Sequence, residues 1–577
     1  MKTILCLLFG FLLGIPLMAQ DNYQTLFEST QGKETPVYEE VIQYFKDLSD
    51  DFDHVKVVEM GITDSGHPIH LVLLDHEQIF DPKKWHEAKR PIWFINNGIH
   101  PGEPDGIDAS MMFLRDILLG KQQLDENIAL AIVPVYNIGG HLNRGSFSRV
   151  NQNGPDAFGF RGNARNYDLN RDFIKADTKN ARSFQLIFSW LRPHVFVDTH
   201  VSNGADYQHV MTLISTQHDR LGGEAGSYLH EKLNPSLYSK MKEKDFPMVP
   251  YVNAWGGKPE DGWAQFKDNG RYSSGYAALF STLSFMPETH MLKPYDQRVL
   301  STYKLLESFA EVLNQEGNEI VEKVNGDRER RRAQEIFELN HILNREKSNT
   351  ITFMGYESGQ KPSDISGLPR LYYDREKPFT KEVKFYDSYE AGLEIKKPIA
   401  YIIPQGWYTV IENLQRNGVR MTELRKDSVM RVTYYEILDF QTATRPFEGH
   451  YIHSNTKVKR HEELHTFRKG DFVLMMDQPV NRYVIEVLEP ESEDSFFNWN
   501  FFDTVLQAKE GYSAYVFEDL ANEFLNDHPR MRQVLEEEKA KDETLANSAA
   551  AQLRWVYERS PWKEKEHNRY PVYRLEK

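Results

Sequence analysis

Apolar positions in the first half of the chain switch repeatedly between two spacings, and each switch marks a strand or a helix. Lys56–Met60 and His70–Asp75 read as short strands, and Ile92–Asn96 as a buried one. From Asp105 onward, Ile107, Met111, Leu114, Ile117 and Leu118 recur at helical spacing and Gly120 supplies a stop, which predicts a helix over 105–119. Ile128–Tyr136 is a continuous apolar run, the kind buried on both faces of a parallel sheet. A helix over 181–191, apolar strands ending at His200 and Glu288, and a helix over 301–313 complete the pattern. Strands alternating with helices predict one α/β domain over residues 21–315, a mixed sheet flanked by helices.

Beyond that domain the texture changes twice. Residues 316–348 are rich in Glu and Arg and include Arg328-Glu-Arg-Arg-Arg332, which predicts a charged connecting helix with one solvated face rather than a basic contact patch. From 349 to 577, short strands and turns alternate, at 350–354, 384–386, 400–403, 430–435, 472–476 and 483–488. They predict a mainly β accessory region with a few helices. Its cluster Phe496-Phe-Asn-Trp-Asn-Phe-Phe502 predicts core packing rather than a ligand platform.

At the N-terminus, Lys2 precedes an uncharged run from Ile4 to Leu17 and then Met-Ala-Gln-Asp at 18–21. This predicts a signal peptide over residues 1–20 and a secreted or periplasmic mature chain. Cys6, the single cysteine, falls inside that segment, so the mature chain is expected to hold no disulfide. No later stretch is long and apolar enough for a membrane span. The net charge of −16 lacks the basic footprint of a nucleic-acid binder.

Chemistry concentrates in three short segments at the ends of apolar strands: Ile-His-Pro-Gly-Glu at 99–103, Asp-Thr-His at 198–200 and Pro-Glu-Thr-His at 287–290. Open α/β sheets bind ligands at the carboxyl ends of their strands. His100, Glu103 and His200 together offer two imidazoles and a carboxylate, the donor set of a catalytic zinc with an open fourth position. Glu288 is placed to act as the base for a metal-activated water. Between the first two segments lies Arg161-Gly-Asn-Ala-Arg-Asn-Tyr-Asp-Leu-Asn-Arg-Asp-Phe173. Two arginines near a zinc divide two jobs, one gripping a substrate carboxylate and the other stabilising an oxyanion.

His-Pro-Gly-Glu, Arg161 with Asp168-Leu-Asn-Arg171, the downstream Asp-Thr-His and the late Glu resemble the zinc carboxypeptidases of the carboxypeptidase A type, over roughly Tyr38 to Leu313. The spacing of Arg161 before Asn170 looks closer to the regulatory, carboxypeptidase D-like branch, in an exported bacterial member. The resemblance implies one Zn²⁺ per chain on His100, Glu103 and His200, with Asp168 orienting the first imidazole. It implies that Asn170 and Arg171 bind the free C-terminal carboxylate of a peptide, that Arg161 polarises the scissile carbonyl and that Glu288 is the general base. A tyrosine that closes over substrate falls at Tyr272 or Tyr276, with Tyr272 preferred.

The expected function is therefore a zinc metallocarboxypeptidase acting on peptides or proteins with a free C-terminus. Two alternatives stand beside it: an exported amidase or endopeptidase acting on cell-wall peptides, and a non-catalytic binding protein on the same fold. Tyr276–Leu283, where the floor of the side-chain pocket is expected, has no acidic residue, which disfavours a basic terminal side chain.

Overall fold

The structure is a computed structural model and describes residues 23–255 and 257–576. The expected signal peptide lies outside the described residues. Among the described residues, nine strands form the main sheet. They are β1 (Val55–Ile62), β2 (Pro68–Leu74), β3 (Ile92–Asn96), β4 (Ala129–Val133), β5 (Val195–Asp198), β6 (His200–Ser202), β7 (Met211–Ser215), β8 (Val249–Pro250) and β9 (Leu283–His290). Their order is β1-β2-β4-β3-β5-β9-β7-β8, with β6 paired to β9. The centre β4-β3-β5-β9 is parallel, and β2 and β7 flank it antiparallel. This is the expected mixed α/β sheet.

Alternation along β3 explains why its five residues are all apolar or buried. Trp93 and Ile95 join one core with α2 (Asp105–Leu118) and the long helix α4 (Tyr295–Ala333), while α1 (Tyr38–Asp51) contributes Val41, Phe45 and Leu48 to the same cluster. Phe94 faces the other way, 5.1 Å from the ring of Phe196 and 5.7 Å from Phe184 on α3 (Lys179–Leu191). Both faces are covered, so the strand cannot show a polar side. Truncating Phe94 to Ala would cost about 3–5 kcal/mol through lost transfer and a residual cavity.

The charged segment departs from expectation. Tyr295–Ala333 is one 39-residue helix, so residues 316–333 continue the last helix of the α/β unit. Arg328 and Arg331 on it are buried. Arg328 donates to the carbonyls of Arg192 and Pro193, at 3.0 and 2.9 Å, where α3 ends in the left-handed residue Arg192. Arg331 bonds Asp327 and the carbonyl of Leu221. Composition alone hides this, because a guanidinium that satisfies orphaned helix-end carbonyls is as polar as one in water. Residues after Ala333 leave the helix for short strands, Ile336–Leu339 and Ile342–Leu343.

The described residues divide into two compact units, one within 23–395 and including 416–418, the other 396–415 and 419–576. The division therefore falls near 395 rather than at the expected 349. The long hairpin β10 (Asn349–Pro362) and β11 (Pro369–Tyr386) belongs to the first unit. Its Phe353, Val383 and Phe385 share a buried cluster with Tyr207, Val249, Val252 and Trp263. The second unit combines helices with a six-stranded sheet among the described residues whose core includes Ile402, Val432, Phe467 and Tyr573, and the strand-rich character of 349–577 comes in part from the hairpin in the first unit. Phe496, Phe497, Trp499 and Phe502 are fully buried there. Helices from Ala514 to Glu558 form a satellite cluster around Phe517, Leu535 and Trp555. Among the described residues no helix is long and apolar enough to cross a membrane.

Candidate metal centre and active site

Sheet register brings the three segments together. Asn96 pairs with Asp198 across β3 and β5, and His200 pairs with Glu288 across β6 and β9. His100 and Glu103 follow β3 on a tight turn closed by Glu103 N donating to His100 O at 2.8 Å. A Cβ at Gly102 would come 2.6 Å from Arg149 Cδ and 3.0 Å from Gly159 O, so a larger residue there would press on Arg149.

His100, Glu103 and His200 are all buried, and their ligand atoms lie within 4.8 Å of one another. Glu103 Oε2 sits 3.3 Å from His100 Nδ1 and 3.2 Å from His200 Nδ1. Each imidazole is held from behind: His100 Nε2 is 2.9 Å from Asp168 Oδ1, and His200 Nε2 is 2.9 Å from Asp198 Oδ2. A carboxylate behind each ring fixes the proton on Nε2, an assignment made from the bonding network, and leaves both Nδ1 lone pairs aimed at one point. Two imidazoles and a carboxylate converging in a buried pocket are the donor set that zinc takes once each ring gives up any Nδ1 proton. The donor set fits the ion.

Electrostatics agree with a site assembled around cationic partners. Burial opposes ionisation of Glu103, yet His100 and Arg149 hold its carboxyl well below the usual range. Burial likewise opposes charge on His200, but Asp198 raises it well above an ordinary imidazole. Asp168 is pulled down against burial by His100, Arg161 and Arg171. Glu288 moves the other way: burial pushes it up to about 7, with His200 opposing and Glu103 reinforcing the rise. A carboxyl raised this far can both take and release a proton near neutrality.

A cavity of about 450 Å³ opens over this cluster, and Glu288, Arg161, Asn170, Arg171 and Tyr272 all line it. Arg161 Nε and Nη2 reach Asp168 Oδ2 at 3.0 and 2.9 Å. Asp168 caps the turn Leu169–Arg171 by accepting from Asn170 N, so one turn sets Asp168, Asn170 and Arg171 relative to each other. Asn170 Oδ1 accepts from Ser273 N at 2.9 Å, and the Arg171 guanidinium lies 4.4 Å from the centre of the Tyr272 ring. Tyr272 is half-buried at the cavity wall. Tyr276 is fully buried, packed on Phe173, Phe188 and Phe280, with its hydroxyl on Asn417. The apolar wall is Ile214, Phe266 and Met286, and the acidic residues lining the cavity are Glu103 and Glu288.

Arg149 was not singled out by its sequence. Its Nη1 donates to Glu103 Oε1 at 2.8 Å, its Nη2 to Val201 O at 3.0 Å and its Nε to Gln152 Oε1 at 2.6 Å. It engages the Glu103 oxygen that faces away from the imidazoles. No motif marks it, because it arrives on a loop folded back over the turn at 100–103.

The zinc carboxypeptidase family model matches residues 41–191. Carboxypeptidase 2 of Trichophyton rubrum is 22% identical over 436 residues, covering 71% of this chain and 73% of that protein. Carboxypeptidase 2 of Trichophyton equinum is 21% identical over 429 residues, with the same coverage of 71% and 73%. Among solved structures, a metallo-carboxypeptidase from Burkholderia cenocepacia matches with a TM-score of 0.36 and 16% identity, over 48% of this chain and 70% of the other. Carboxypeptidase A from Helicoverpa armigera matches with a TM-score of 0.37 and 15% identity, over 51% and 74%.

Proposed function

Taking residues 41–191 as a zinc carboxypeptidase segment, we propose that this chain is a metallocarboxypeptidase that removes the C-terminal residue of peptides. The observation that carries the reading is the adjacency in one cavity of the His100–Glu103–His200 cluster, Glu288, and the guanidinium of Arg171 beside Asn170. One zinc held by that cluster supplies Lewis-acid polarisation and lowers the pKa of water towards neutrality.

The chain's own groups do the rest. Asn170 and Arg171 grip the terminal carboxylate, which places the last peptide bond beside Glu288. Arg161 donates to the scissile carbonyl oxygen as negative charge develops there. Glu288 takes a proton from the attacking water while the new C–O bond forms. It returns that proton to the amine nitrogen as the C–N bond breaks. Tyr272, resting on Arg171, closes over the bound residue. Ile214, Phe266 and Met286 surround the terminal side chain and offer no carboxylate of their own, which favours an apolar residue. The apolar run Ile4–Leu17 supports export of the enzyme.

Comparing peptides that end in a free acid with the same peptides amidated tests this. Loss of a charge-assisted contact of about 1.5–3 kcal/mol should lower kcat/KM on the amide by at least ~10-fold. Arg171→Ala should erase most of that difference. Equal cleavage of acid and amide by the parent protein would overturn the exopeptidase reading in favour of an endopeptidase or amidase.

A further inference from the structure

A second cavity of about 510 Å³ adjoins the first at Trp255, lined among others by Gly204, Trp255, Asp261, Gln360, Leu371 and Tyr373. Trp255 belongs to both cavities, and the backbone after His200 runs from one to the other, with Asn203 in the first and Gly204 in the second. Gly204 lies at φ +128°, and a Cβ there would meet the Trp255 ring at 3.8 Å. The indole therefore sits over a stretch of open backbone and is itself 64% exposed.

The outer wall is the β10–β11 hairpin. Leu371 pairs with Gln360 and Tyr373 with Ser358, so residues two apart put Leu371, Tyr373 and Gln360 on one face. The hairpin is anchored on the loop that leaves His200. Tyr207 bridges Gly355, Gln208 N donates to Met354 O at 2.9 Å, and the Gln208 amide donates to the carbonyls of Gly355 and Phe379. Arg375 Nε adds a 2.7 Å bond to Asp206 Oδ2. These contacts hold the base of the hairpin, and the ladder from Glu357 to Pro362 carries the strand pairing on to Gln360, Leu371 and Tyr373.

We propose that this second cavity is a binding cleft for the peptide segment upstream of the scissile bond, with Trp255, Leu371 and Tyr373 receiving an apolar side chain. The inference rests on the carboxypeptidase reading. In an exopeptidase the carboxylate grip is a dead end, so a cavity that joins the site but contains none of Asn170, Arg171 and Tyr272 holds the part of the chain that precedes the cut. The hairpin thus makes the enzyme selective for peptides several residues long over dipeptides. Aromatic and aliphatic walls bind through burial of apolar area, which here appears as a lower KM.

A series of peptides from an N-blocked dipeptide to a hexapeptide, sharing the same last two residues and carrying Leu or Phe upstream, tests the cleft. In the parent protein kcat/KM should rise about tenfold along the series, mostly through KM. Leu371→Ser and Tyr373→Ala should each remove most of that gain and leave the dipeptide rate within twofold. Leu371 is 47% exposed, so its substitution alters the wall without opening a core. A flat series in the parent, or a full length gain retained in both variants, would overturn the cleft. If acid and amide peptides are cut alike while the length gain still depends on Leu371 and Tyr373, the cleft stands and the exopeptidase reading falls.

Discussion

Replacing Asp168 by Asn removes one charge and leaves the shape, yet both oxygens of this carboxylate are in use as acceptors. Asp168 Oδ1 faces His100 Nε2 and Asn170 N, and Oδ2 faces two nitrogens of Arg161. An amide can keep its oxygen toward His100 only by turning its NH₂ toward Arg161, donor against donor. The arginine fork is then lost, at about 2–3 kcal/mol, because two bonds to one guanidinium do not add fully. If that energy positions Arg161 for the transition state, kcat/KM falls about 30–150-fold. Weaker orientation of His100 lowers zinc affinity about 10–100-fold as well. Asp198→Asn is the control. Asp198 supports His200 in the same way, but its other oxygen accepts only from Asn96, whose own Oδ1 is unpartnered and can turn to meet the new amide. Both variants should bind zinc more weakly in competition with a chromophoric chelator. At saturating zinc, turnover should return in Asp198→Asn and stay low in Asp168→Asn. Full recovery in Asp168→Asn would refute the claim that this carboxylate positions Arg161.

Glu288→Gln should keep zinc, measured by elemental analysis, and lose ~10²-fold or more in kcat, because the amide cannot take the proton. Arg149→Ala removes the shorter of two arginine bonds to Glu103 Oε1, leaving Arg161 Nη1 at 3.4 Å, and should weaken zinc binding about tenfold by chelator competition, with unchanged affinity counting against its positioning role. Asp108 is buried, with Oδ2 accepting from Thr35 and Tyr295, and burial pushes its carboxyl from 3.8 up to about 7. A raised folded pKa gives stability that is full below pH 3.8 and is lost as pH rises through about 7. The Tm of Asp108→Asn should accordingly gain on the parent between about pH 4 and pH 8, by calorimetry, and a constant gap would contradict the assignment.

Some elements buried on both faces were legible because period and length agreed, whereas the run expected as a strand at 483–488 is a buried helix, Asn481–Leu488. Ile92–Asn96 appears with its expected bounds, and the helix expected over 105–119 spans Asp105–Leu118. The domain boundary was not legible. Composition shifts at 316 and 349 follow charge and strand spacing, whereas a compact unit is defined by packing. Arg328 and Arg331 point inward because a helix end needed donors for its carbonyls, and a local window of sequence does not contain that need. The hairpin was placed correctly as β structure but in the wrong unit, since its partners Tyr207 and Trp263 lie far upstream.

The site shows the same division between local and distant information. His200 carries its support with it: Asp198 is two residues earlier on nearly continuous extended chain, where side chains two apart face the same way. His100 has no such neighbour, and its carboxylate comes from Asp168, 68 residues on. That distant support is not free to vary alone. Because Asp168 also caps the turn that holds Asn170 and Arg171, moving it would shift the first imidazole, Arg161 and that turn together. A segment that must satisfy three partners at once has little sequence latitude. Asp-Leu-Asn-Arg is accordingly a recognisable string, while Arg149, which bonds Glu103, the Val201 carbonyl and the Gln152 side chain, leaves no string to read.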